Sequence, residues 1–326
     1  MLEHAFAVST RETYGSGLLV FHVFCDKKGI AEAQRAPACA VLLSSFISTL
    51  AGHYAPKTIA NYLAGVRAWH TIHGLPWQPD KVETDALIKA AERLRPATSR
   101  QKPRRPFTIE YIIALRSQLD LMRPLDAAVF ACLTTTFYSA ARLGEFTVVN
   151  LKPGSFHSST HVTPSHVNLV HDRNGLQMLA FHIPRTKSSP SGEEVSWARQ
   201  HGLSDPEAAL ARHLQVNSPP AEGPLFAYRF GKDHRPLTKS KMLAVLSKAA
   251  LACHLDPLQG HGIRIGSTLE YLLRGVPFEV VKVKGRWASD SFLLYLRKHA
   301  QILAPYMQAD PVLHEAFTHL TMPPVR

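Results

Sequence analysis

The 326 residues read as a mainly α protein with a small β-sheet or hairpin, an α+β chain in which a helical first domain precedes a mixed second one. Three observations predict this. Apolar residues recur at helical spacing through the first hundred positions, a proline- and cation-rich stretch follows, and a β-like middle interrupts the helical pattern of the remainder. At roughly 100–200 residues per domain the length suits two domains, and 45% hydrophobic residues are enough to bury a core in each.

The first helix is expected to open at Ser9, Thr10, Arg11 and Glu12, a capping-box pattern, with Tyr14, Leu18, Phe21 and Cys25 as its apolar stripe. Val41 to Leu50 predicts a second helix. A third starts at Pro56 and stops before Gly74, with Ile59, Tyr62, Leu63, Val66 and Trp69 inward and Lys57, Asn61, Arg67 and His70 on a polar face. That face suits solvent and phosphate contact equally. A fourth helix is expected from Thr84 to Arg95, stopped by Pro96. The stretch P-A-T-S-R-Q-K-P-R-R-P at 96–106 holds three prolines and four cations, Arg100, Lys102, Arg104 and Arg105, and reads as a linker. Its cations fit a strap across a nucleic-acid backbone, a nuclear-import signal, or plain solvated charge.

From Thr108 helices are expected near 108–120 and 125–140, with a break at Ser139 to Arg142. Gln177–Pro184 and Glu193–Trp197 then flank R-T-K-S-S-P-S-G, whose Gly, Pro and Ser suit a hairpin loop with Lys187 at its tip. Further helices are predicted at Pro206–Leu214, Thr238–His254, His261–Arg274, Pro277–Lys284 and Ser289–His299. A tail helix is expected after Asp310 and Pro311, with Leu313, Phe317 and Leu320 on one side.

Thirty-seven Lys and Arg against 25 Asp and Glu give a formal charge of +12, which points to a polyanionic partner. Cys25, Cys39, Cys132 and Cys253 lie too far apart in sequence for a C-x-x-C pair, which argues against a disulfide scaffold and a cysteine zinc site. No apolar run reaches the ~18 residues of a membrane span, and Glu3 and His4 stand where a signal peptide needs a basic then apolar stretch, so a soluble, intracellular protein is expected. Phosphate-loop, dinucleotide, H-E-x-x-H and G-x-S-x-G patterns are all missing. Carboxylates in the second domain do not cluster as a two-metal nuclease requires. What stands out is an ordered set of cations. Arg142 lies in A-R-L-G-E-F, where Glu145 three positions on suits a local ion pair; His261 and Arg264 share one side of a helical turn in G-H-G-I-R-I-G, beside N-terminal amides that favour an anion.

The order Arg142, Lys187, His261-x-x-Arg264, Trp287, Tyr295 resembles the tyrosine recombinases, the phage-integrase-like family. The segments H-G-I-R-I-G, G-V-P-F-E-V-V-K and G-R-W-A-S-D-S-F-L-L-Y-L-R are more similar to recombinases of eukaryotic mobile elements of the Crypton and DIRS kinds. The N-terminal S-T-R-E-T-Y-G-S-G-L-L-V-F-H-V-F-C is similar to the start of their core-binding domain, so the resemblance spans nearly the whole chain. One spacing departs from the family pattern: a histidine or tryptophan commonly precedes the nucleophile by nine residues, whereas here Arg286 does so and Trp287 precedes Tyr295 by eight. Trp287 is favoured, with Arg286 as substitute.

The resemblance implies a helical core-binding domain over residues 1–96, the basic linker at 97–107, a tyrosine-recombinase catalytic domain at 108–308 and a tail at 309–326 that passes between protomers. It implies a site-specific recombinase or integrase of a mobile element, acting without metal or cofactor on double-stranded DNA as a dimer or tetramer, in the nucleus of a eukaryote or otherwise with cytoplasmic DNA. Arg142 and Arg264 would clamp the phosphate, Lys187 would protonate the leaving group, His261 and Trp287 would assist, and Tyr295 would attack. Glu145 and Arg286 would support this set, and Lys57, Asn61, Arg67, Arg100, Lys102, Arg104 and Arg105 would contact DNA. A type IB topoisomerase and a domesticated protein that binds DNA without cutting it are the alternatives.

Overall fold

The apolar stripes of the first hundred residues become four helices, α1 (Val8–Lys27), α2 (Ala40–Leu50), α3 (Pro56–Ile72) and α4 (Lys81–Arg93). The computed structural model of the chain describes residues 5–6, 8–100, 103–186, 189–288 and 302. It divides into two units, Met1–Pro103 and Arg104–Arg326.

In the first unit Phe21, Leu43, Phe46, Ile47, Ile59 and Val66 form the core. Helices α1 and α3 touch backbone to backbone, because a Cβ at Gly17 would stand 2.6 Å from the Tyr62 Cα and one at Gly65 would strike the Tyr14 carbonyl. Three expectations change here. The first helix already includes Ser9 at its second residue, and a capping serine must have non-helical backbone, so the Ser9–Glu12 capping box is not the helix start. The fourth helix begins three residues early because the Asp80 carboxylate accepts the Glu83 N–H at 2.9 Å and caps it. His70 is fully buried rather than on the polar face: its Nε2 accepts the Ala38 N–H at 2.8 Å and its Nδ1 donates to the Val66 carbonyl at 2.9 Å. A buried imidazole satisfied at both nitrogens is a packing residue.

The second unit is built around α6 (Pro124–Tyr138), preceded by α5 (Ile109–Ser117). From Ala127 to Tyr138 every residue of α6 is buried, as expected for a central helix that is apolar on all sides. The short α7 (Leu143–Phe146) follows, then a three-stranded antiparallel sheet in the order β1 (Val167–His171), β2 (Gln177–Ile183) and β3 (Glu193–Trp197). The anticipated hairpin is β2 and β3, with Phe181 opposite Val195 and Leu179 opposite Trp197. Phe181, Ile183, Val195 and Trp197 bury the face turned to the core. Strand β1 was not anticipated. It lies at the sheet edge with nearly every residue exposed, so V-N-L-V-H carries no core-facing alternation.

Next come α8 (Pro206–Asn217), a two-stranded ribbon of β4 (Tyr228–Phe230) and β5 (Asp233–Arg235), then α9 (Lys239–Ala252), α10 (His261–Leu273) and α11 (Phe278–Lys284). The chain at 105–107 lies directly on α10. Phe107 is buried, its N–H donates to the Gly262 carbonyl at 3.0 Å, and a Cβ at Gly262 would stand 2.6 Å from the Arg105 carbonyl oxygen. A Cβ at Gly266 would fall on the Phe107 carbonyl itself. The anticipated helix at Ser289–His299 and tail helix after Asp310 lie outside the described residues.

Candidate functional site

Two helix ends deliver residues to one cavity by the same backbone device. After α6, the Ala140 N–H donates to the Phe137 carbonyl and the Ala141 N–H to the Thr136 carbonyl; after α11, the Arg286 N–H donates to the Val283 carbonyl and the Trp287 N–H to the Lys282 carbonyl. Each pair is a Schellman motif, which places one residue in the left-handed region. Glycine is the usual occupant, yet here the residues are Ala140 (φ 52°) and Arg286 (φ 55°). Each costs roughly 1 kcal/mol relative to glycine. The turns aim Arg142 and Trp287 at the same space.

That space is a cavity of about 290 Å³ lined by Arg142, Leu143, Gly144, Lys239, Gly260, His261, Arg264 and Trp287. Three of these are permanent cations and none is acidic, which makes the cavity a site for an anion. Arg264, 3% exposed, is held by its own surroundings: its Nη2 donates to the Gly285 carbonyl, and its guanidinium lies over the Trp287 ring 4.4 Å from the centroid. Arg142 is more open. Its Nη1 donates to Glu145 Oε1 at 3.0 Å and its backbone N–H to Glu145 Oε2 at 2.8 Å, with the arginine side chain 36% exposed and the glutamate 8%.

His261 begins α10 and is half-buried. Burial first, then the positive charges of Arg104, Arg264, Lys239 and Arg142, hold its imidazole below the ordinary histidine range. At neutral pH it is therefore uncharged and able to accept a proton. Lys239 was not anticipated. It stands in the first turn of α9, which contains no acidic residue, where the helix dipole disfavours a cation. A lysine in that electrostatically unfavourable place was the available signal in T-K-S-K.

A second hollow of about 300 Å³ lies on the other side of Arg142, lined by Arg142, Gly144, Glu145, Thr160, His161, Arg185 and Thr186. It leads into the β2–β3 connection, where Lys187 falls outside the described residues. Tyr295 does as well. Arg286 turns away from the cavity: its Nη2 meets Glu145 Oε2 at 2.5 Å and its Nη1 meets Glu193 Oε2 at 2.7 Å. Of the two residues weighed for the place before Tyr295, Trp287 is the one that lines the cavity.

Tyr271 is a packing residue, mostly buried inside α10, with its hydroxyl donating to the Tyr138 carbonyl at 2.8 Å and its pKa raised by burial. Among the proposed DNA contacts, Lys57, Arg67, Arg100 and Arg104 are exposed, Asn61 is half-buried, and Lys102 lies outside the described residues. Arg105 is exposed but bonded to Asp256 at 2.6 Å. Among the described residues no group of three or more His, Cys, Asp or Glu is placed to hold a metal ion, and no helix is long and apolar enough to cross a membrane.

No family model and no curated protein matches the chain. The solved structures that share its fold include two recombination proteins on DNA. One is the XerH site-specific recombinase bound to palindromic difH substrate in a post-cleavage complex, at 14% identity and a TM-score of 0.56 over 94% of this chain and 78% of that one. The other is a lambda integrase dimer bound to a COC′ core site, at 11% identity and a TM-score of 0.53 over 89% of each chain. The chain thus has the fold of a site-specific recombinase and an integrase, mainly helical with a small antiparallel sheet.

Proposed function

We propose that the chain is a tyrosine recombinase that cuts and rejoins DNA strands through a 3′-phosphotyrosyl intermediate on Tyr295. One observation carries the reading. Arg142, His261, Arg264 and Trp287, from three separate stretches of sequence, line one cavity with no carboxylate among its described lining residues. The fold likeness to two proteins solved on DNA supports it.

Phosphoryl transfer gathers negative charge on nonbridging oxygens, and donors fixed beforehand stabilise it most. Arg264, locked between the Gly285 carbonyl and the Trp287 ring, is such a donor. Arg142 supplies the opposite arm of the clamp, where guanidinium geometry suits a phosphate better than ammonium does. The uncharged His261 takes the tyrosine proton or holds a phosphate oxygen, and the Trp287 indole N–H donates to the phosphate. Tyr295 attacks phosphorus and the 5′-oxygen leaves with a proton from Lys187; attack by a second 5′-hydroxyl on the phosphotyrosine reverses the step. No metal enters this scheme.

On this reading residues 1–96 form a core-binding domain, 97–107 a basic linker, 108–308 the catalytic domain, and 309–326 a tail shared between protomers of a dimer or tetramer on double-stranded DNA. The segments similar to Crypton and DIRS recombinases make a eukaryotic mobile element the favoured source and the nucleus the place of action. Incubation with nicked duplex carrying candidate element ends, in excess chelator, should trap a covalent adduct that peptide mapping assigns to Tyr295. Tyr295→Phe should bind the same duplex and trap nothing. An adduct on another tyrosine, or cleavage that needs added magnesium, would refute the assignment.

A further inference from the structure

Arg286 occupies a place that ordinary helix-ending chemistry does not explain. It is the left-handed residue of the Schellman turn after α11, whereas the glycine stands one position earlier at Gly285, with non-left-handed backbone. Gly285 is itself required, because a Cβ there would run into the Trp287 ring. The side chain of Arg286, 9% exposed, joins two carboxylates that are far apart in sequence, Glu145 of α7 at 2.5 Å and Glu193 at the start of β3 at 2.7 Å. Glu145 is 8% exposed and Glu193 21%. The same Glu145 carboxylate holds Arg142 by both its backbone N–H and its guanidinium. Burial raises the Glu193 pKa, but a Thr186 side-chain hydrogen bond and the charges of Arg286 and Arg142 bring it below the ordinary carboxylate value.

Four charged groups therefore form one chain, Arg142, Glu145, Arg286 and Glu193. It connects the loop after α6, the foot of the β2–β3 hairpin and the turn that carries Trp287. We infer that Arg286 is a positioning residue: it brackets Glu145 and Glu193 so that Arg142 and Trp287 face the same phosphate. The inference rests on the strand-transfer reading for its catalytic consequence, while its effect on phosphate binding stands apart from that reading. A planar guanidinium can serve two carboxylates at once with fixed geometry, which an ammonium cannot do as rigidly. A small displacement of a clamp residue can cost up to about 100-fold in rate. Duplex affinity draws on many phosphates and should change little when one contact is misaligned.

The test compares Arg286→Gly, the double variant Arg286→Gly with Glu193→Gln, and Arg286→Lys. Glycine relaxes the left-handed backbone, and glutamine removes the carboxylate left without its arginine, so the double variant preserves folding. In the double variant, single-turnover adduct formation should slow by about 10–100-fold. Duplex Kd should stay within about twofold, and the Kd for inorganic phosphate, read from chemical-shift changes of His261, should rise. Arg286→Lys should recover part of both losses. Wild-type cleavage and phosphate affinity in the double variant would overturn the inference. So would a rate loss matching only the fraction of unfolded protein at the assay temperature. If the unaltered protein forms no adduct, the strand-transfer reading falls by itself. Weakened phosphate binding in the double variant then upholds the bracket, and unchanged binding refutes it.

Discussion

The cavity has two halves that are held in different ways. On one side, the first turns of α10 present His261 and Arg264 because Gly262 and Gly266 let the backbone of residues 105–107 lie directly on the helix. On the other side, Arg142 and the Trp287 turn are tied by the Arg142, Glu145, Arg286 and Glu193 charges. Close packing of backbone against backbone gives no freedom and little response to salt, whereas a charge network responds to it. The helix that carries Arg264 is thus seated by shape, although its guanidinium also rests on the Trp287 turn, whereas Arg142 is held by electrostatics.

The largest effect should come from breaking the packed half. In Gly266→Ala the new methyl group falls on the Phe107 carbonyl, which is backbone and cannot rotate aside. Overpacking of this kind costs about 3 kcal/mol. Thermal unfolding should show the loss directly, and calorimetry that finds the variant as stable as the parent would mean that residues 105–107 do not rest on α10. The charged half should give way more gently. Glu145→Gln keeps the shape and removes one charge shared by Arg142 and Arg286, so a loss of about 1–2 kcal/mol is expected, discounted because Arg142 is partly solvated. Its effect on adduct formation should exceed its effect on stability, the reverse of Gly266→Ala. Equal effects in the two variants would erase the distinction between the halves.

Acid should separate the halves without mutation. Glu193 has its folded pKa below the unfolded value, so its contribution is complete above the ordinary carboxylate range and is lost as pH falls through the folded pKa. Between those two values the unfolded chain binds the proton that the folded chain refuses. His261 in the packed half also has its folded pKa below the unfolded value, so the start of α10 gives up stability first, as pH falls below the ordinary histidine range. Hydrogen-exchange protection, corrected for the intrinsic rate, should therefore fall first in the first turns of α10, and at the foot of β3 and in the turn around Arg286 only on reaching the carboxylate range. Simultaneous loss of protection would show that one cooperative unit spans both halves.

What could be seen in the sequence was what neighbours in the chain decide. His261 and Arg264 share a helical turn at the start of α10, Arg142 pairs with Glu145 three positions away, and Pro56 and Pro206 each begin a helix. What could not be seen depends on distant partners. His70 is buried because an amide 32 positions away needs an acceptor, and Arg286 reaches carboxylates 93 and 141 positions away. No local pattern encodes such pairs. Lys239 is intermediate, since its unfavourable helix position was legible while its place in the cavity was not.

The smallest effect concerns the charges just ahead of the packed half. Arg104 precedes and Arg105 begins the segment that lies on α10, and the Arg105 side chain is already bonded to Asp256 across an exposed pair. Such a pair contributes less than about 1 kcal/mol, so replacing Lys102, Arg104 and Arg105 with Ser should leave thermal stability nearly unchanged. The salt dependence of duplex binding should change instead, because each neutralised phosphate contributes about 0.9 to the slope of log K against log salt. If Asp256 keeps Arg105 occupied on DNA, two cations act and the slope should flatten by about 1.8; if the pair opens on the duplex, all three act and the change approaches about 2.7. Asp256→Ser distinguishes these cases, since it steepens the slope only where Arg105 was previously withheld. A slope unmoved by the triple replacement would mean that the linker cations remain in solvent, and would leave the import-signal reading as their role.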